Sequence, residues 1–206
     1  EERGQPNASW QAGVASVDIT PPEFMPMAGY AGRGANHAQE KLTDLWAKAL
    51  VLQDPGGQRA LLVTVDVIGT DRALSQSVCE ELEKRYGLAR HQIALCFSHT
   101  HTGPVVAKNL RPMHYMLFDK PNRRLVDDYA ERLQRQIITV AGEALGNLTP
   151  ARLAWGSGTA AFAVNRRNNP AARVPELRAE GKLRGPHDHD VPVLAVRDAD
   201  GKLQAV

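Results

Sequence analysis

The sequence predicts an α/β domain, a mixed β-sheet with flanking helices, and three observations predict it. Short β-branched and apolar runs are bounded by turn residues, as at Leu45–Gln53, Arg59–Ile68 and Ile93–Phe97. Two longer stretches, Asp71–Tyr86 and Arg124–Leu145, repeat their apolar residues at helical spacing. The order strand, helix, strand across residues 61–97 is the unit that makes parallel neighbours.

Taken in order, residues 1–11 are polar, carry Gly4 and Pro6, and read as a flexible lead-in to a single domain over residues 12–206. Ala12 to Ile19 reads as a strand closed by Thr20-Pro21-Pro22, which cannot continue a ladder. Asp18, near its end, either orients a site residue or caps the turn. Glu23 to Thr43 has no sustained period. A loop of that length in a compact domain is commonly functional, so it is expected to form a mobile pocket wall, with His37 either facing the pocket or on the surface.

The next two runs are joined by Asp54-Pro55-Gly56-Gly57-Gln58 and predict a hairpin. Asp66 lies on a strand headed for the core and needs a partner, either a metal-bound histidine or a backbone amide. The first helix has Asp71 placed as N-cap and Gly87 as C-cap. Arg124–Leu145 puts Leu125, Tyr129, Leu133, Ile137, Val140 and Ala144 on one face and ends at Gly146-Asn147. Residues 151–157 predict a strand, 168–186 a loop, and 191–206 a hairpin turning at Asp198-Ala199-Asp200-Gly201.

The chemistry concentrates where Ile93–Phe97 stops, at Ser98-His99-Thr100-His101-Thr102-Gly103-Pro104. The apolar run predicts a strand covered on both faces. On an extended backbone His99 and His101 would project to the same side, toward one ion or one substrate. Spacing alone leaves two readings: a metal site, since neutral imidazole is the commonest ligand, or two hydrogen-bonded histidines at a strand end. His187-Asp188-His189-Asp190, taken in isolation, also looks like a metal cluster.

Hydrophobic residues make up 43% and charged residues 23% of the 206, an ordinary globular composition that excludes a disordered or fibrous chain. A formal charge of +2 from 25 basic and 23 acidic residues argues against a nucleic-acid partner. Cys79 and Cys96 predict two buried free thiols rather than a disulfide scaffold.

The motif from Ser98 to Pro104 resembles the His-Thr-His-Ser/Thr-Gly-Pro signature of the neutral/alkaline (non-lysosomal) ceramidase family. Residues 13–22, the Met27-Ala28-Gly29-Tyr30 stretch, residues 45–52, Asn165-Arg166 and the hairpin after Asp188 resemble further family segments in the same order. The resemblance implies the N-terminal part of a ceramidase-like catalytic domain: a zinc-dependent amidohydrolase acting on the N-acyl amide of ceramide-like lipids through metal-activated water. It implies that His99 is a Zn2+ ligand, that His101 acts beside the metal, and that Arg166 holds the reacting group. The family's other zinc ligands are expected beyond Val206, so a missing C-terminal segment or a second chain is an expected partner. A secreted or periplasmic location and peripheral membrane contact follow from the same likeness. Val105-Val106-Ala107-Lys108 stand where the family commonly has glycines, which keeps open a different acylated substrate; a non-catalytic domain binding lipid, metal or a partner chain is the other alternative.

Overall fold

The computed structural model describes residues 9–206, so most of the predicted lead-in lies outside the described residues. Seven strands form one mixed sheet: β1 (Gln11–Asp18), β2 (Trp46–Gln53), β3 (Arg59–Val65), β4 (Ile93–Phe97), β5 (Thr149–Thr159), β6 (Asp190–Asp198) and β7 (Leu203–Ala205). Their spatial order is β4-β3-β2-β1-β5-β6-β7. Only β3 and β4 are parallel; the connection between them is α1 (Arg72–Tyr86). The other pairs are antiparallel, including the predicted β2–β3 and β6–β7 hairpins.

The helices form where their end signals stand. Asp71 accepts a hydrogen bond from the Leu74 amide at the start of α1, and Gly87 closes it in the left-handed conformation. The longer helix α2 (Lys120–Gly146) starts four residues earlier than the apolar spacing suggests, because Asp119 caps the Asn122 amide and Pro121 occupies the first turn. Its buried side carries Val126, Tyr129, Leu133, Ile137, Val140 and Ala144. These pack on Ala47, Ala49 and Val51 of β2, on Leu61, Val63 and Val65 of β3, and on Leu74, Val78 and Leu82 of α1. Gln136 and Asn147 donate to the carbonyls of Asp18 and Val14, and the buried Tyr129 hydroxyl donates to that of Ile19, so α2 is tied to β1 along its length. Burial pushes the Tyr129 phenol strongly upward, keeping it a neutral donor.

The two helices cover one face of β1–β4. The other face leaves Trp46, Leu62 and Cys96 in contact with solvent. Two expectations are corrected by this. Strand β4 is not covered on both faces: it is the sheet's edge strand, with Ala94 and Cys96 exposed and Ile93 buried. The cysteines are accordingly not both buried, since Cys79 is inside α1's packed face and Cys96 points to the open one. Residues 168–186 are not loop throughout. They contain a short helix, α3 (Val174–Ala179), with Pro175 in its first turn.

Candidate functional site

The polypeptide leaving β4 stays paired for two more residues: the Ser98 and His99 amides donate to the carbonyls of Val65 and Val67 at 3.1 Å each. The extended conformation ends there. His99 has φ +56°, a left-handed backbone that a side chain with a Cβ seldom adopts, so the two histidines are not brought together by strand alternation. They converge by this turn instead, with ring centroids 5.2 Å apart and planes tilted by 60°. Strain of this sort recurs nearby at Ala107 and Leu110, with φ +47° and +49°.

The tautomer of His99 is fixed by the backbone. Its Nδ1 lies 2.9 Å from the Ile68 carbonyl oxygen, an acceptor only, so Nδ1 carries the proton and Nε2 keeps its lone pair. An exposed imidazole held in this way is the usual form of a metal-ligating histidine. His101 is confined differently. The Tyr30 ring meets it edge-on at 4.7 Å, and its Nδ1 is buried without a partner against Gly29. The Arg33 guanidinium donates to the carbonyls of Ala28 and His101 and lies 4.8 Å over the Tyr30 ring.

The long loop is therefore a wall, as expected, but a pinned one. Bridges join Pro26 to His37 and Met27 to Pro104, the Ala28 amide donates to Gly103, and the Val105 amide donates to Pro26. His37 also bonds Asn122 at the start of α2, with 2.6 Å between Nε2 and Oδ1. This loop lines a largely apolar pocket of about 430 Å³, open to solvent, that includes Phe24, Met25, Met27 and Leu42. Thr102, Gly103 and Pro104 of the histidine motif line it, although His99 and His101 do not.

The acidic candidates have structural roles. The Thr20 hydroxyl, together with the Thr20 amide that donates to Asp18 at 2.7 Å, lowers the Asp18 carboxyl below the usual range, and Asp66 accepts from the Trp46 amide at 3.1 Å. Arg166 is exposed in the turn after β5, and its side chain has no hydrogen bond or ion pair among the described residues. Its neighbour Asn165 organises that turn, accepting from the amides of Arg167 and Asn168 and donating to the Pro186 carbonyl. His187 and His189 stack at 4.1 Å. The described residues contain no group of three or more His, Cys, Asp or Glu able to hold a metal ion. His99 fits zinc as one ligand, whereas catalytic zinc commonly takes three from the protein.

Sequence reasoning missed Arg33 and His114. His114 is fully buried, and its Nε2 receives the Gly29 amide at 3.3 Å. The signal available was a lone histidine inside the apolar Met113–Phe118 cluster.

A mixed sheet that delivers a His-x-His pair beside a Gly-Pro turn, backed by a pinned Gly-Tyr loop, defines a ceramidase-type N-terminal fold. A model of the family described as neutral/alkaline non-lysosomal ceramidase, N-terminal, matches residues 10–205, and the chain belongs to that family. It is 28% identical over 207 residues to neutral ceramidase of Drosophila pseudoobscura pseudoobscura and 29% identical over 203 residues to that of Drosophila melanogaster. Each alignment covers 96% of this chain and 27% of the relative, so the chain spans about a quarter of these relatives' length. Among solved structures, neutral ceramidase from Pseudomonas aeruginosa superposes with a TM-score of 0.71 at 23% identity, over 96% of this chain and 31% of that one. A structure described as ceramidase complexed with C2 gives 0.67 at the same identity.

Proposed function

We propose that this chain supplies the histidine-bearing part of a zinc-dependent hydrolase that cleaves the N-acyl amide of ceramide-like lipids. The observation that carries the reading is His99, whose Nδ1–H is committed to the Ile68 carbonyl and whose Nε2 is presented beside a second imidazole. His99 would be one ligand of the metal, with the remaining ligands coming from outside the described residues. Zinc, when bound, supplies Lewis acidity toward the amide carbonyl and toward water.

The chain's own groups then have separable roles. With Nδ1 of His101 buried against Gly29, Nε2 is the nitrogen left to exchange a proton with the leaving amine or to donate to the developing oxyanion. Arg166, exposed and without a polar partner in its turn, would neutralise the oxyanion or hold a polar head group. The cavity beside Thr102–Pro104 has the volume and apolar lining to hold part of an acyl or sphingoid chain against the reacting bond. A lipid substrate also implies contact with a membrane or micelle surface.

The test is elemental analysis for zinc together with fatty-acid release from a short-chain ceramide, on the wild type and on His99→Ala. Retained zinc content and retained hydrolysis in the variant would refute the assignment of His99.

A further inference from the structure

We propose that His114 is a positioning residue for His101, acting through the Gly29 peptide; the catalytic meaning of that position rests on the function proposed above. Three observations connect the residues. First, His114 is one of two polar side chains fully buried among the described residues, and its Nδ1 has no partner. A histidine with an orphaned nitrogen is a poor choice for packing alone, and such groups call for an explanation. Second, the Gly29 amide can only donate, so Nε2 of His114, 3.3 Å away, must accept and the proton must sit on Nδ1. Third, Gly29 has no room for a side chain: a Cβ there would lie 2.4 Å from Cγ and 2.6 Å from Nδ1 of the His101 ring.

The Gly29 backbone is thus the surface against which the His101 imidazole lies. His114 sets where that surface stands, reaching it from 85 residues away in sequence. Tyr30 and His99 limit the ring on its other sides, and Arg33 fixes the carbonyl of the same residue. Losing the His114 bond would release the Gly29 peptide and widen the range of His101 orientations. A carbon skeleton of the same bulk could not replace it, because only an acceptor at the Nε2 position serves.

The experiment compares His114→Gln, whose amide oxygen reaches the Nε2 position, with His114→Asn, whose amide reaches only the Nδ1 position. Ring nitrogen NMR on the wild-type chain should show His114 unprotonated at Nε2. Gly29 amide exchange should stay within about threefold of wild type in the Gln variant and accelerate at least about tenfold in the Asn variant, and only the latter should move the His101 ring signals. Where hydrolysis is measured, the Asn variant should lose kcat about tenfold with KM little changed, and the Gln variant should recover it. A proton on Nε2 of His114 in the wild type overturns the proposal even if neither variant folds. So does equal behaviour of the two variants. Because tautomer and exchange are read without turnover, a protein that keeps its zinc and its hydrolysis in His99→Ala yet passes both would sink the proposed function and uphold this positioning.

Discussion

Replacing Gly13 by alanine should destabilise the domain through a clash between β1 and the end of α2. The added Cβ would lie 2.0 Å from the Ala144 carbonyl oxygen and 3.0 Å from backbone atoms of Asn147 and Leu148. All three neighbours are main chain at the end of α2, so no side chain can swing aside; the helix end must retreat by about 1.4 Å to restore an ordinary contact. Overpacking of this kind costs about 1–3 kcal/mol. The retreat also strains the bond from the Asn147 side chain to the Val14 carbonyl, worth about 1 kcal/mol. A total of about 3 kcal/mol corresponds to a fall in Tm of about 6–12 °C in a domain of this size. Thermal unfolding followed by circular dichroism measures it, with Gly146→Ala as control: nothing lies within 4 Å of a Cβ at Gly146, on the same helix, and that variant should be neutral or slightly stabilised. A Gly13→Ala protein melting within about 2 °C of wild type would show that β1 and α2 are not in the close contact on which this reasoning rests.

Gly29→Ala combines φ +103° with the clash against His101, and should lower Tm and, in an active enzyme, cut hydrolysis about 100-fold; turnover at the wild-type rate would contradict the packing of that ring. Ala107→Gly relieves a left-handed backbone at the loss of one methyl group, so urea titration should find stability unchanged or raised by up to about 1 kcal/mol, not lowered. Burial, aided by the Arg33 cation, holds the His114 imidazole below its usual range. The unfolded chain therefore takes up this proton first: stability from this group is complete above about pH 6.5 and is lost as pH falls through the lower folded value. Urea midpoints at pH 7.5 and 5.5 should differ, and less so in His114→Gln. His99→Gly should fold at least as well as wild type, since glycine accepts φ +56°, yet bind less zinc than the wild type does; undiminished zinc would remove His99 from the ligand set.

Much of the fold was legible because its signals are local. Asp71 and Gly87 bracket α1 by bonds that span three or four residues, and the spacing of Tyr129, Leu133 and Ile137 depends on the helix alone. Strand burial was misread because it depends on neighbours that sequence does not display. Ile93–Phe97 has the same apolar content whether one face of its sheet is covered or two, and only the packing of both helices on a single face reveals that Cys96 faces outward. His99 and His101 meet through the left-handed backbone at His99 and not through strand alternation: residue identity is carried by the motif, backbone handedness is not.

What the motif leaves unspecified is the orientation of each imidazole, and here the structure uses two distant segments. Ile68, 31 residues before His99, determines which of that ring's nitrogens bears the proton. Arg33, 68 residues before His101, fixes its main-chain carbonyl, and the Gly29 peptide sets the place of its ring. None of these contacts has a local sequence signature, because each is a backbone carbonyl, a backbone amide or the absence of a Cβ. An imidazole pair without them would sample many geometries, and in a catalytic site a displacement near 1 Å is enough to cost about two orders of magnitude in rate. The loop from Met25 to His37 is therefore part of the site in the same sense as the histidines, and its glycine and arginine are the positions at which a family likeness of under 30% identity to the fly enzymes is most informative to test.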